Sequence, residues 1–100
     1  MMILIVGTFR VDPARLDAAR PAMEEMTRES RAEPGCIEYG YAEDLFDPGL
    51  IHVTERWRDR ETLAGHFSAP HLLEWRAKWP ALGLGERDLK IYHIAEIEDF

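Results

Sequence analysis

The chain has 100 residues, a formal net charge of −7 and a pI near 5.0, and that acidic balance argues against a nucleic-acid partner because it repels phosphate backbones. One domain is the expectation at this length, and its core must be small. Yet 46% of the residues are hydrophobic, with three Trp, four Phe and three Tyr, so part of the apolar content is expected in a subunit interface or a pocket.

The longest wholly apolar run, Met1–Val6, falls far short of the roughly 20 residues of a membrane span. No basic segment precedes it, so neither a span nor a signal peptide is expected and a cytoplasmic protein is the default. The single cysteine, Cys36, forms neither an intrachain disulfide nor a CxxC metal pair.

Met2–Val11 reads as a strand apolar on both faces, with Ile3, Ile5 and Phe9 on one and Met2, Leu4 and Val6 on the other. Such a strand wants cover on both sides. Asp12-Pro13 then starts a helix, Asp as cap and Pro at the first position. Leu16, Ala19, Met23, Met26 and Ser30 form its inner side, with Arg15, Glu25, Arg28 and Glu29 outward. Pro34-Gly35 is read as its end.

Cys36–Asp44 and Leu50–Arg58 read as paired strands joined across Asp47-Pro48-Gly49, where Pro fixes φ and Gly supplies a positive one. On the first, Ile37, Tyr39 and Tyr41 share a face. On the second, Ile51, Val53, Glu55 and Trp57 oppose His52, Thr54 and Arg56. Asp59 caps a short helix with Leu63 and Phe67 as its expected buried pair. Pro70 restarts helix, carrying Leu72, Trp75 and Trp79 along one side. Pro80 and the Gly83/Gly85 pair are read as a break, and Arg87–Glu98 as the last strand.

The order is β-α-β-β-α-β, an α+β ferredoxin-like arrangement with an antiparallel four-stranded sheet and helices on one face. The uncovered apolar face predicts a homodimer in which two sheets pack around an inner cavity.

Glu55 is the most informative polar residue. A carboxylate among Val53 and Trp57 on an apolar face must find a partner or stay protonated, so it is either a general base or half of an ion pair with a neighbouring-strand Arg or Lys. His66 is either the second catalytic candidate or a surface imidazole bonded to a backbone carbonyl. His66 and His71 are five residues apart, about 140° around a single helix, which does not favour joint chelation. His52 and His93 add no recognisable ligand spacing, and no metal is expected. Tyr39, Tyr41, Tyr92, Trp57 and Trp75, with His52 and His71, form the candidate substrate-binding set: a flat aromatic cleft, or ordinary core and interface filling. Cys36 is read as a buried small residue beside the turn.

Glu33-Pro34-Gly35-Cys36, Tyr39, Asp47-Pro48, Glu55-x-Trp57, and His66 with Pro70-His71, in this order and spacing, resemble the antibiotic biosynthesis monooxygenase (ABM) family over nearly the whole chain. The resemblance implies a dimeric α+β barrel and a cofactor-independent oxidoreductase acting on a quinol-type phenol with O₂. It extends less well to the haem-degrading branch, which uses an Asn on the first strand, a Trp in the short helix and a His ligand in the next. Ungapped placement puts Gly7, His66 and about Arg76 there, and an Arg does not ligate haem iron as an imidazole does. The absence of GxGxxG, P-loop and CxxCH motifs suits cofactor-free oxygenation. It equally suits a non-catalytic barrel that binds a small hydrophobic ligand; isomerase or decarboxylase chemistry rests on fold analogy alone.

Overall fold

A computed structural model describes residues 1–100. The elements are β1 (Met2–Val11), α1 (Leu16–Arg31), β2 (Cys36–Glu43), β3 (Leu50–Trp57), α2 (Arg60–Phe67), α3 (Pro70–Leu82) and β4 (Leu84–Ile94). The strands form one antiparallel sheet in the order β2-β3-β1-β4, the ferredoxin-like arrangement that the element order predicts.

Registry fixes which side chains share a face. Ile5 lies opposite Glu55 on β3 and Ile91 on β4, and Phe9 lies opposite Ile51. Ile3, Ile5, Phe9, Ile51, Val53 and Trp57 therefore point together toward the helices and are buried. From α1 the core takes Ala19, Met23 and Met26, the predicted stripe. The other sheet face carries Leu4, Val6 and Tyr92, and no helix covers it: Val6 is 39% and Tyr92 50% exposed.

Turn chemistry behaves as the residue types require. The Asp47 carbonyl accepts from Leu50 N–H, closing a four-residue turn with Gly49 at φ +85°. A Cβ on Gly49 would also lie 2.2 Å from the Val11 carbonyl oxygen, so this turn needs glycine twice over.

Several local expectations are corrected. Asp12 caps a short 3₁₀ turn, Pro13–Arg15, before α1 begins at Leu16, and Pro21 sits within α1 on its exposed side. β2 carries an irregularity between Cys36 and Glu38 that leaves Ile37 exposed and out of the alternation expected for it. In α2 the buried pair is Leu63 and His66, because Phe67 faces outward. Pro80 does not break the chain: α3 runs through it on the exposed side to Leu82, and Gly83 ends the helix in the left-handed conformation. That moves β4 earlier than expected, to Leu84–Ile94, leaving Ala95 and Ile97 outside it.

Candidate active site

A cavity of about 190 Å³ lies between the sheet and the α2–α3 pair. It lies within one chain, on the face of the sheet that the helices cover. Its floor is Ile5, Val53 and Glu55 from the sheet centre and Leu89 and Ile91 from β4. Tyr39, Tyr41, His66, Trp75 and Trp79 form its walls, with Arg76 and Arg87 also on the lining. Ile91 and Phe67, 40% and 41% exposed, mark its open side.

Glu55 stands in this floor at 5% exposure. Its Oε1 accepts a hydrogen bond from Trp57 Nε1 at 3.0 Å, not from the strand Arg or Lys considered above. Burial pushes its pKa up to about 7. The Trp57 bond and Arg76 oppose that rise, while the charge of Glu33 adds to it. A carboxyl poised near neutrality suits proton transfer at physiological pH.

His66 is not a surface imidazole. It is 2% exposed, its ring tilted against Trp57 with centroids 4.6 Å apart, and its Nδ1 lies 2.5 Å from Glu33 Oε2. A carboxylate partner at Nδ1 makes that nitrogen the proton-bearing one and leaves the Nε2 lone pair free. Nε2 lies 3.9 Å from Glu55 Oε1, too far for a direct bond and too close to admit an oxygen in line, so a single hydroxyl meets both only from one side of the pair. Burial lowers the His66 pKa, with Glu33 opposing, which favours the neutral ring.

His71 joins the same centre. Its Nε2 lies 2.9 Å from Glu33 Oε2, so one carboxylate oxygen meets both imidazoles. The single-helix argument against convergence fails because Ser68 and Ala69 separate α2 from α3 and turn the two rings toward one point. Glu33, His66 and His71 have ligand atoms within 4.8 Å of one another and are the chain's candidate metal set. The same donors and acceptor already satisfy one another without an ion.

Of the other predicted site residues, Tyr39, Tyr41 and Trp75 line the cavity. The two tyrosine hydroxyls are 2.6 Å apart, and Tyr41 stacks on Trp75 at 6.0 Å. Burial raises both tyrosine pKa values, so these phenols serve as donors and not as bases. Trp57 lies behind the cavity as the donor to Glu55. His52 and Tyr92 lie elsewhere: they project from the opposite sheet face, where His52 Nε2 meets Asp44 at 2.8 Å. Cys36 is only half buried, and its thiol is pushed up to about 11, chiefly by burial, so it is unreactive.

Sequence reasoning gave no role to Glu33, Trp79, Arg76 or Arg87 in a binding site. For Glu33 the signal was its place in the Glu-Pro-Gly-Cys run. Residues on the far ends of α3 and β4 carry no local signal.

Comparison with known proteins agrees with this architecture. The chain is 33% identical over 96 residues to the uncharacterized protein sll1783 of Synechocystis, spanning 65% of that protein's length. It is 33% identical over 76 residues to the candidate monooxygenase Rv0793 of Mycobacterium tuberculosis, covering 76% of this chain and 74% of that one. The solved structure of Rv0793 superposes with a TM-score of 0.78, covering 99% and 98% of the two chains at 28% identity. A candidate antibiotic biosynthesis monooxygenase of Deinococcus radiodurans superposes at 0.90 over 100% of this chain and 98% of that one; at 22% identity it speaks for the fold alone. Residues 2–78 match the antibiotic biosynthesis monooxygenase model, and the chain belongs to that family.

Proposed function

We propose that this protein is a cofactor-independent monooxygenase that oxidises a single-ring phenol of the quinol type with O₂. The observation that carries the reading is Glu55, with its pKa near 7, facing the His66 Nε2 lone pair across an aromatic-walled cavity.

The ring size follows from volume. Drug-sized ligands occupy roughly 300–1,000 Å³, whereas a cavity of about 150 Å³ accepts benzene. At about 190 Å³ this cavity favours one ring over the polycyclic phenols that some family members oxidise.

A quinol hydroxyl beside the Glu55–His66 pair gives its proton to His66 Nε2, whose orientation Glu33 maintains. The resulting anion is electron-rich enough to reduce O₂. In the full reaction one oxygen atom enters the ring and the other leaves as water. The four electrons come from the substrate, which emerges as a hydroxyquinone. The chain's part is to limit water, accept the proton and supply beside the anion the one hydroxyl donor that the Tyr39–Tyr41 hydrogen bond leaves free.

Proteins of this family are commonly dimeric, and a homodimer through the uncovered Leu4–Val6–Tyr92 face suits this chain. Rotational matching of that face to itself gives the isologous contact expected of a twofold dimer.

The test is oxygen uptake on adding air to anaerobic, metal-stripped protein mixed with single-ring hydroquinones. Uptake above the protein-free rate that falls at least tenfold in Glu55→Gln and His66→Ala, and also in Glu33→Ala, supports the proposal. Quenching of Trp fluorescence by the same compounds without oxygen uptake would instead establish a non-catalytic ligand-binding barrel.

A further inference from the structure

Three side chains from three separate elements converge beside the cavity. Glu33 comes from the loop after α1, His66 from α2 and His71 from the first turn of α3. Glu33 Oε2 lies 2.5 Å from His66 Nδ1 and 2.9 Å from His71 Nε2, and the three ligand atoms all lie within 4.8 Å of one another. The hydrogen bonds that satisfy the trio also hold two imidazoles and a carboxylate in the posture of a chelate. The His71 and Glu33 side chains are 18% and 13% exposed, so an ion reaches the group from their side, while His66 stays closed off at 3%.

Two imidazoles and one carboxylate are a complete three-ligand set for zinc, with the fourth tetrahedral position left to water. Zinc bonds such ligands at about 2.0–2.2 Å, which sets neighbouring ligand atoms roughly 3.3 Å apart. From 2.5 and 2.9 Å, the Glu33 oxygen backs away from each ring by less than about 1 Å, a small movement for a side chain in a loop. The ring nitrogens start no more than 4.8 Å apart and close by about 1.5 Å at most. A second observation is independent of the trio. A metal-bound histidine almost always donates its other ring N–H to an outer acceptor such as a carboxylate, and His66 Nε2 faces Glu55 Oε1 at 3.9 Å, about 1 Å longer than a hydrogen bond. The outer partner is already in place, on a buried carboxyl that Trp57 holds.

We propose that Glu33, His66 and His71 form a binding site for a divalent transition ion of the zinc class, and that the bound ion switches His66 off as a proton acceptor. The site does not depend on the quinol reading; the switching rests on it. Its basis is the imidazole tautomer. Without an ion, Glu33 holds the ring proton on Nδ1 and Nε2 keeps its lone pair. An ion on Nδ1 takes that position, so the one proton of the neutral ring sits on Nε2 and points at Glu55. The metal-bound ring then presents a donor where a substrate hydroxyl needs an acceptor. Imidazole suits zinc, nickel and copper, whereas magnesium and calcium take oxygen ligands, so the site discriminates between the two groups of ions.

The experiment adds zinc, cobalt or magnesium to chelator-treated protein and reads melting temperature, visible absorption and histidine nitrogen NMR. Zinc is expected to raise Tm by about 10 °C or more at roughly a hundredfold excess over its Kd, while magnesium leaves Tm unchanged. Cobalt should give the strong visible bands of a four-coordinate site, and zinc should displace them. The ring signals of His66 and His71 should shift, with the His66 proton moving to Nε2, while those of His52, paired with Asp44 on the other sheet face, stay in place. Glu33→Gln and His71→Ala should each weaken zinc binding by about tenfold or more, and His52→Ala should leave it unchanged. An equal response to magnesium, His66 and His71 signals that do not move, or zinc binding undiminished in both Glu33→Gln and His71→Ala overturns the site. The NMR measurement uses the unaltered protein, so a variant that fails to fold does not shelter the proposal. Oxygen uptake tests the switch, since zinc is redox-inert: hydroquinone oxidation that falls severalfold with bound zinc and returns with EDTA supports it, and uptake untouched by bound zinc refutes it. No uptake with or without zinc refutes the quinol reading, and with it the switch, and leaves the metal site standing.

Discussion

Replacing Glu55 by Gln tests the electrostatics of the cavity without relying on any reaction. Gln keeps the volume and, through Oε1, the acceptor for Trp57 Nε1. The Glu55 carboxyl titrates near 7 in the folded chain against an ordinary 4.5. Below about 4.5 it is protonated in both folded and unfolded states. As pH rises toward 7 the unfolded chain loses this proton while the folded chain keeps it, so stability declines; above 7 the full penalty persists. At about 1.4 kcal/mol per pH unit the penalty is roughly 3 kcal/mol, of which about 2 develops between pH 5 and pH 8.5. Glu55→Gln removes it. The variant's stability advantage over the unaltered protein should therefore grow by about 2 kcal/mol between those pH values, or about 8–16 °C in Tm for a domain this size. Scanning calorimetry or urea titration of both proteins at both pH values reads this double difference, and titrations common to both largely cancel. An advantage that is the same at pH 5 and pH 8.5, or a variant less stable at pH 8.5, would refute the reasoning.

The same carboxyl responds to its donor: Trp57→Phe removes the bond that lowers the Glu55 pKa, so its titration by carbon-detected NMR should move above 7. That variant should also lose about 1–2 kcal/mol at pH 8, where the ionised carboxylate is left unsatisfied. Gly7→Ala probes the β1–β4 seam, where an added Cβ would lie 2.0 Å from the Asp88 carbonyl oxygen. A loss of at least about 2 kcal/mol, or about 8 °C or more in Tm, is expected, and an unchanged melting curve would show that β4 can yield there.

Strand alternation and turn residues made the sheet legible. Glu55 sharing a face with Val53 and Trp57 followed from a period of two, and the Asp47-Pro48-Gly49 turn followed from the dihedral needs of Pro and Gly. The misreadings lie where a local rule met a tertiary one. Pro80 signals a stop, yet an exposed proline with Gly83 just beyond it lets the helix continue to the glycine. Five-residue spacing separates His66 from His71 on one helix, but two helices meeting at Ala69-Pro70 bring them to a common oxygen. Glu33, which supplies that oxygen, is 33 residues from His66, and no periodicity reaches that far. His52 and Tyr92 were drawn into the candidate site by chemistry alone; their parity along the strands places them on the other side of the sheet.

The shared oxygen of Glu33 also has a mechanical meaning. It ties the loop after α1 to both α2 and α3, and these two helices are the roof of the cavity. The cavity already opens beside Ile91 and Phe67, away from that tie, so a molecule entering there leaves both imidazole bonds in place. One carboxylate oxygen therefore sets the position of the roof and the orientation of the His66 ring together, and a change that moves one moves the other.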